Sequence, residues 1–208
     1  WIKGDKVFVH SPQAMTGRTS GTYAINEDYF ENPETEGTES QKVDGQEWLK
    51  WAGTLVKQGE AGVQWSDATT QDFYSIYPVG TLASSDDDGA TFNVTLPAAQ
   101  TMYVDKDPVG NVYPAKPAMD GCLMYAKATG VGNGTTVNFK YSPYSTAIRF
   151  KLHGPAVTDQ TPNPDPVVVR RVELIAPYSI AGEFKATIAK GVDGISVTTF
   201  NGKNTITI

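Results

Sequence analysis

The side chains able to do chemistry are few. The chain of 208 residues has two histidines, His10 and His153, and one cysteine, Cys122. That stock nearly excludes a histidine-based triad, a multi-histidine metal site and a cysteine zinc site. One thiol also excludes an intrachain disulfide framework. Cys122 opens the apolar run 122–126 (CLMYA) and reads as an inert core thiol, on a central strand covered on both faces. Carboxylates are plentiful, with Asp and Glu together at 23. Two acids about 5–9 Å apart in a cleft would suffice for glycoside hydrolysis. Most of these acids, however, lie in Gly- and Ser-containing loops, as solvated acids do. The glutamates Glu27, Glu31, Glu34, Glu36 and Glu39 and the aspartates of 84–89 (SSDDDG) read as wet loop and turn, since neither shows calcium-loop spacing. No GxSxG, Walker, GxGxxG or HExxH pattern occurs. No catalytic residue, cofactor site or metal site is expected. Trp48, Trp51 and Trp65 remain as candidates, because a sugar ring stacks on an exposed indole. The competing reading has them plugging the end of a sandwich.

Charge narrows the partners. A net charge of −6 and a pI near 4.9 argue against nucleic acid, which demands a basic stripe. The densest basic pair, Arg170 and Arg171, would point to opposite faces of a strand. No run of about 20 apolar residues and no signal segment is present. The chain opens at Trp1 and closes on a strand pattern. Export signals are therefore expected upstream, and a C-terminal portion downstream.

The elements that must position these residues are strands. Residues 136–152 alternate twice: Val137, Phe139 and Tyr141, then Ile148, Phe150 and Leu152. The apolar parity changes across Pro143, which a single strand cannot do. Two strands joined near Pro143, crossing between the layers of a sandwich, fit that change. Period-two patterns also predict strands at 6–10, 22–25, 72–78, 92–96, 102–104, 168–174, 180–188, 195–200 and 205–208. Asn133-Gly134 predicts a hairpin turn into Thr136, and Asn201-Gly202-Lys203 predicts another turn. Between 46 and 57, Trp48, Trp51, Ala52, Leu55 and Val56 fall at helical spacing and favour an amphipathic turn or helix, which Gly53 and Gly59 weaken. Residues 27–45, 105–117 and 154–166 read as long loops. The fold class is all-β: a β-sandwich with long loops and at most a short helix, in one domain over 1–208.

Five blocks in order resemble one family. Trp1, Gly4, Asp5 and Val7 resemble a W-x-x-G-D-x-[IV] start. Asp72, Phe73, Tyr77 and Pro78 resemble a D-F-x-[AG]-[YI]-x-P block. Val94, Leu96, Pro97 and Gln100 look like a strand ending in proline and glutamine. Asp120, Met124 and Ala126 are similar to a D-[LM]-M-[YV]-A block. Phe139, Ile148 and Phe150 belong to a final block in which Tyr141 stands where histidine is usual. The family is that of the Bacteroidetes fimbrillins and fimbrillin-like adhesins, and the blocks span about 1–185. Residues 186–208 would then lead toward a missing C-terminal domain.

The resemblance implies a transthyretin-like Greek-key sandwich at the N-terminus of a surface lipoprotein. It would be anchored in the outer membrane through an upstream lipidated cysteine. In polymerising members an arginine-directed cut removes the first strand, and the opened groove takes a strand from the next subunit. Partners would be other fimbrial subunits, and host or bacterial surface glycans or proteins. The motif residues would be mainly structural. Strands at 6–10 and 139–141 are the candidates to border the groove. A cell-surface carbohydrate-binding module and a hydrolase are the alternatives.

Overall fold

Apolar–polar alternation dominates the folded chain, a computed structural model that describes residues 4–25, 42–43, 46–47, 53–100, 102–103, 116–117, 122–145 and 171–207. The strands in order are β1 (Lys6–His10), β2 (Ser20–Ile25), β3 (Lys42–Val43), β4 (Gln46–Glu47), β5 (Leu55–Gln58) and β6 (Thr70–Tyr77). Next come β7 (Thr81–Asp86), β8 (Gly89–Leu96), β9 (Met102–Tyr103), β10 (Lys116–Pro117) and β11 (Met124–Gly132). Then follow β12 (Ser142–Pro143), β13 (Glu173–Ile175), β14 (Ala181–Ala189), β15 (Ser196–Lys203) and β16 (Thr205–Thr207). No helix occurs among the described residues.

Two antiparallel sheets form the sandwich. One has six strands in the order β12-β11-β6-β1-β2-β5; the other has four, in the order β15-β14-β8-β7. Tyr74 and Ile76 of β6 meet Phe92 and Val94 of β8 and Phe184, Ala186 and Ile188 of β14 between the sheets. Phe8 sets its ring edge-on to Phe92 at 6.0 Å. Each Val, Ile or Phe among them, once buried, contributes about 1.5–3 kcal/mol.

The six-stranded sheet is buried on its far face too. Alternate residues of β1 and β6 point that way, namely Val7, Val9, Phe73 and Tyr77. Val63, Trp65, Val137, Phe139 and Tyr141 cover them. The alternation over 137–141 is real: the odd positions are half-buried and Asn138 and Lys140 are exposed. The segment nevertheless makes no strand ladder, and only Ser142 and Pro143 pair, with Tyr125 and Met124. It is an extended cover, not the first of the two strands its pattern predicts. The residues Ile148 and Phe150 lie outside the described residues.

Several other expectations are corrected. The turn or helix expected over 46–57 gives way to strand where the stretch is described, to β4 at its start and to β5, which pairs with β2, at its end. Cys122 is half-buried and precedes β11, so it is not on a covered central strand. Asn133-Gly134 does turn the chain, with Gly134 at φ 77°, but no laddered hairpin follows at 136. Asn201, Gly202 and Lys203 belong to β15, where Gly202 faces Gly182.

Candidate functional site

The four-stranded sheet ends in β15, eight residues long and laddered to β14. Among the described residues, no strand pairs with its other side. Ile195, just before β15, and Val197 within it tuck toward the core between the sheets, while the remaining positions of β15 are exposed. A strand so placed offers solvent a row of backbone N–H and C=O groups.

The other edges are guarded. β7 shifts register between Leu82 and Ser84 and runs into Asp86, Asp87 and Asp88. β5 has four residues and carries Lys57; β12 has two and carries Pro143. Bulges, charge, proline and brevity are the devices that keep edges from pairing. β15 has its own bulge at Phe200, between the pairs Glu183↔Asn201 and Phe184↔Thr199, and ends in Lys203. Its first half, Ser196 to Thr199, has no charge, no proline and no bulge.

The turn before β15 is clasped to the other sheet. The Lys127 ammonium donates to the carbonyls of Ala189 (3.0 Å), Lys190 (2.9 Å) and Val192 (2.7 Å). Lys190 Nζ lies 2.6 Å from Asp72 Oδ2. The other oxygen, Asp72 Oδ1, accepts the Gly130 N–H at 2.7 Å. Gly130 stands at φ 64° in the bulge of β11, a left-handed conformation that suits glycine. The Lys190 N–H donates to the Asp88 carbonyl at 2.7 Å, which brings the β7–β8 turn into the same cluster. The hydrogen bond and charge of Asp72 push the Lys190 ammonium pKa up. This arrangement holds backbone in place; its charged groups are occupied by one another and by carbonyls.

The sequence-predicted residues distribute as follows. Trp1, Trp48 and Trp51 lie outside the described residues. Trp65 is half-buried, with its ring edge-to-face on Phe73 at 5.3 Å, so one side of the indole belongs to the packing. Gly4 sits at φ 85°, and the Asp5 carbonyl accepts the Ile25 N–H at 2.9 Å. Phe73, Tyr77 and Ala126 are buried, and Met124 is half-buried opposite Tyr77. Pro78 follows a cis peptide bond. Phe139 is part of the cover over the far face. Of the two strands expected to border an open groove, β1 is laddered on both sides, to β2 and β6, and 139–141 has no ladder. Among the described residues the unguarded edge is β15, which was not among the expected groove strands. Its exposed Thr-Thr-Phe-Asn run was the available signal.

A groove of about 210 Å³ opens beside the β7–β8 turn, lined in part by Ser84, Ser85, Asp86, Asp88, Thr91 and Thr187. Its lining holds no aromatic ring, so it offers hydroxyls and carboxylates but no stacking platform. Among the described residues, no group of three or more His, Cys, Asp or Glu could hold a metal ion. No described helix is long and apolar enough to cross a membrane.

No protein-family model, curated protein or solved structure matches this chain.

Proposed function

We propose that this protein is a structural and adhesive subunit of a fimbrillin-type cell-surface fimbria, assembling by strand exchange between subunits. The observation that carries the reading is the exposed first half of β15, a sheet edge with no guarding device from Ser196 to Thr199. Adding a strand there gives a continuous run of main-chain hydrogen bonds, with side chains alternately seated and exposed. The resemblance of the five sequence blocks supports the same reading, and with it a transthyretin-like Greek-key topology. The setting would be the outer surface of the cell, with membrane attachment only through an upstream lipid anchor. Partners are other fimbrial subunits, with surface glycans or proteins as ligands of a tip form.

The test uses the exported precursor that contains this chain. It is treated with an arginine-specific protease and run unboiled on a denaturing gel, with electron microscopy alongside. A ladder that collapses on boiling, together with filaments, is the expected result. A single monomer band without filaments would overturn the assembly reading.

A further inference from the structure

Three buried polar atoms between the sheets have no hydrogen-bond partner among the described residues: both imidazole nitrogens of His10 and the phenol oxygen of Tyr74. His10 is 2% exposed and Tyr74 is 0% exposed. The two are directly opposite in the β1–β6 ladder, so they share a face, and Tyr74 packs in the core between the sheets. The next strand continues the row, since Lys127 stands opposite Tyr74. His10, Tyr74 and Lys127 thus run across three adjacent strands, and Lys127 is the residue that clasps the turn leading into β15.

Ser20 of β2 stands directly opposite His10 and shares its face, without a hydrogen bond to the imidazole, and the polar pair beside His10 is self-contained. Ser11 Oγ donates to Gln71 Oε1 at 3.3 Å, and Gln71 Nε2 donates to Ser66 Oγ at 3.0 Å. The imidazole approaches the Thr19 backbone without forming a well-shaped hydrogen bond. The charged groups at this end are Asp72 of β6, Lys127 of β11, the β7–β8 acids Asp86, Asp87 and Asp88, and Lys190 after β14. Asp72 is held by Lys190 and the Gly130 N–H. None of these charges is among the influences on His10; burial dominates and lowers its pKa, and the Thr19 backbone opposes it. The acids act on Tyr74 instead. Burial first, then Asp72, Asp86, Asp88 and Asp87, push the phenol up to about 12. Tyr74 is therefore neutral at any working pH and offers an imidazolium no countercharge.

We infer that the His10–Tyr74 pair is an acid-sensitive joint between the two sheets, closed while the imidazole is neutral and forced open when it takes up a proton. The charged ring has two N–H donors and no acceptor role. Buried, it would face a neutral phenol and a row that already carries the Lys127 ammonium. An unpaired charge in that setting is expelled to water. Opening at this row also loosens the Lys127 clasp, so acid acts on the end of the molecule that carries β15. The inference rests on the fold and holds whether or not the edge takes a strand.

The sign follows from linkage. An unfolded histidine protonates near 6.5, whereas the folded one resists the proton. The stabilisation from the neutral ring is complete above about pH 6.5 and is lost as pH falls toward the folded value. Between the two, the folding equilibrium constant drops about tenfold per pH unit.

The experiment removes the other histidine with His153→Gln, leaving His10 as the single imidazole. Its ring signal is followed by NMR from pH 8 to 5, with urea unfolding at each pH. The expected result is a ring signal that does not titrate while the protein is folded. The expected unfolding curves lose about tenfold in the folding constant per pH unit below about 6.5. His10→Leu, or His10→Gln if the first does not fold, should flatten that dependence between pH 7 and 5. A folded-state signal that titrates near pH 6.5 would overturn the inference. So would an unchanged pH slope in the His10 variants.

Discussion

Between the sheets, Phe92, Ile76, Val94, Phe184 and Ile188 close on one another from laddered strands. On the far face of the six-stranded sheet, Val7, Val9, Phe73 and Tyr77 are covered instead by half-buried residues of 63–65 and 137–141, which make no ladder. The inner cluster is sealed by packing and leaves His10 and Tyr74 without polar partners among the described residues. The outer cover is pinned by hydroxyls. Ser75 Oγ donates to the Phe8 carbonyl at 3.1 Å, so the hydrogen it shares with Tyr141 comes from the tyrosine. Tyr23 Oη accepts the Val63 N–H at 2.9 Å. Ladders make a layer cooperative; pins make it removable in pieces. The inner cluster should therefore report global unfolding and the outer cover local opening.

The largest effect that tests this contrast is a truncation in each layer. Phe92→Ala, at a fully buried position, is expected to cost about 3–5 kcal/mol in urea unfolding. Phe139→Ala, half-buried within the cover, should cost less than half of that. Equal losses would mean that the cover is part of the cooperative core. Next is the clasp. Lys127→Met removes a charged donor from three carbonyls and is expected to cost about 1–2 kcal/mol. That is the low side for such bonds, because water reaches the freed Lys190 and Val192 carbonyls. Lys190→Met should cost at least as much, since it leaves the Asp72 carboxylate buried without its cation, although Asp72 keeps the Gly130 N–H. A smaller loss than that of Lys127→Met would place the clasp on Lys127 alone. Smaller again is Tyr141→Phe, expected to cost about 0.5–1.5 kcal/mol. It should raise amide exchange at 137–141 while leaving β8 and β14 protected. Loss of protection in all three would merge the two layers.

The layers also differ in how plainly the sequence announced them. β1, β8 and β14 are legible because their side chains alternate between a dry face and a wetter one, which period-two patterning records directly. The cover at 137–141 alternates just as cleanly, because an extended chain lying on an apolar face meets the same demand without any ladder. Pattern reports burial, not pairing. β5 was masked by the opposite coincidence: Trp48, Trp51 and Leu55 fall at helical spacing, while Leu55–Gln58 pairs as an edge. The clasp was out of reach, since Lys127 finds its acceptors 62 to 65 positions away. Asp72 was visible as part of a sequence block, but Lys190 and Gly130, which explain a carboxylate there, were not.

The smallest stability change should go with the sharpest functional one. Thr199 is exposed on β15, opposite buried Phe184 and one residue before the bulge at Phe200. A lysine there has solvent beside it, so Thr199→Lys should alter folding stability by no more than about 0.5 kcal/mol. On a free edge it costs little. Under an added strand, the ammonium would be caught on the side that the new residues must cover, which is how natural edges refuse partners. If β15 accepts a strand, Thr199→Lys should abolish the boiling-sensitive ladder while the urea midpoint stays put. The matching substitution on the guarded edge, Ser84→Lys on β7, should leave the ladder intact. Loss of the ladder with Ser84→Lys but not with Thr199→Lys would move assembly to the other side of the sheet. It would also mean that a bulge and three aspartates are not enough to close an edge in this sandwich.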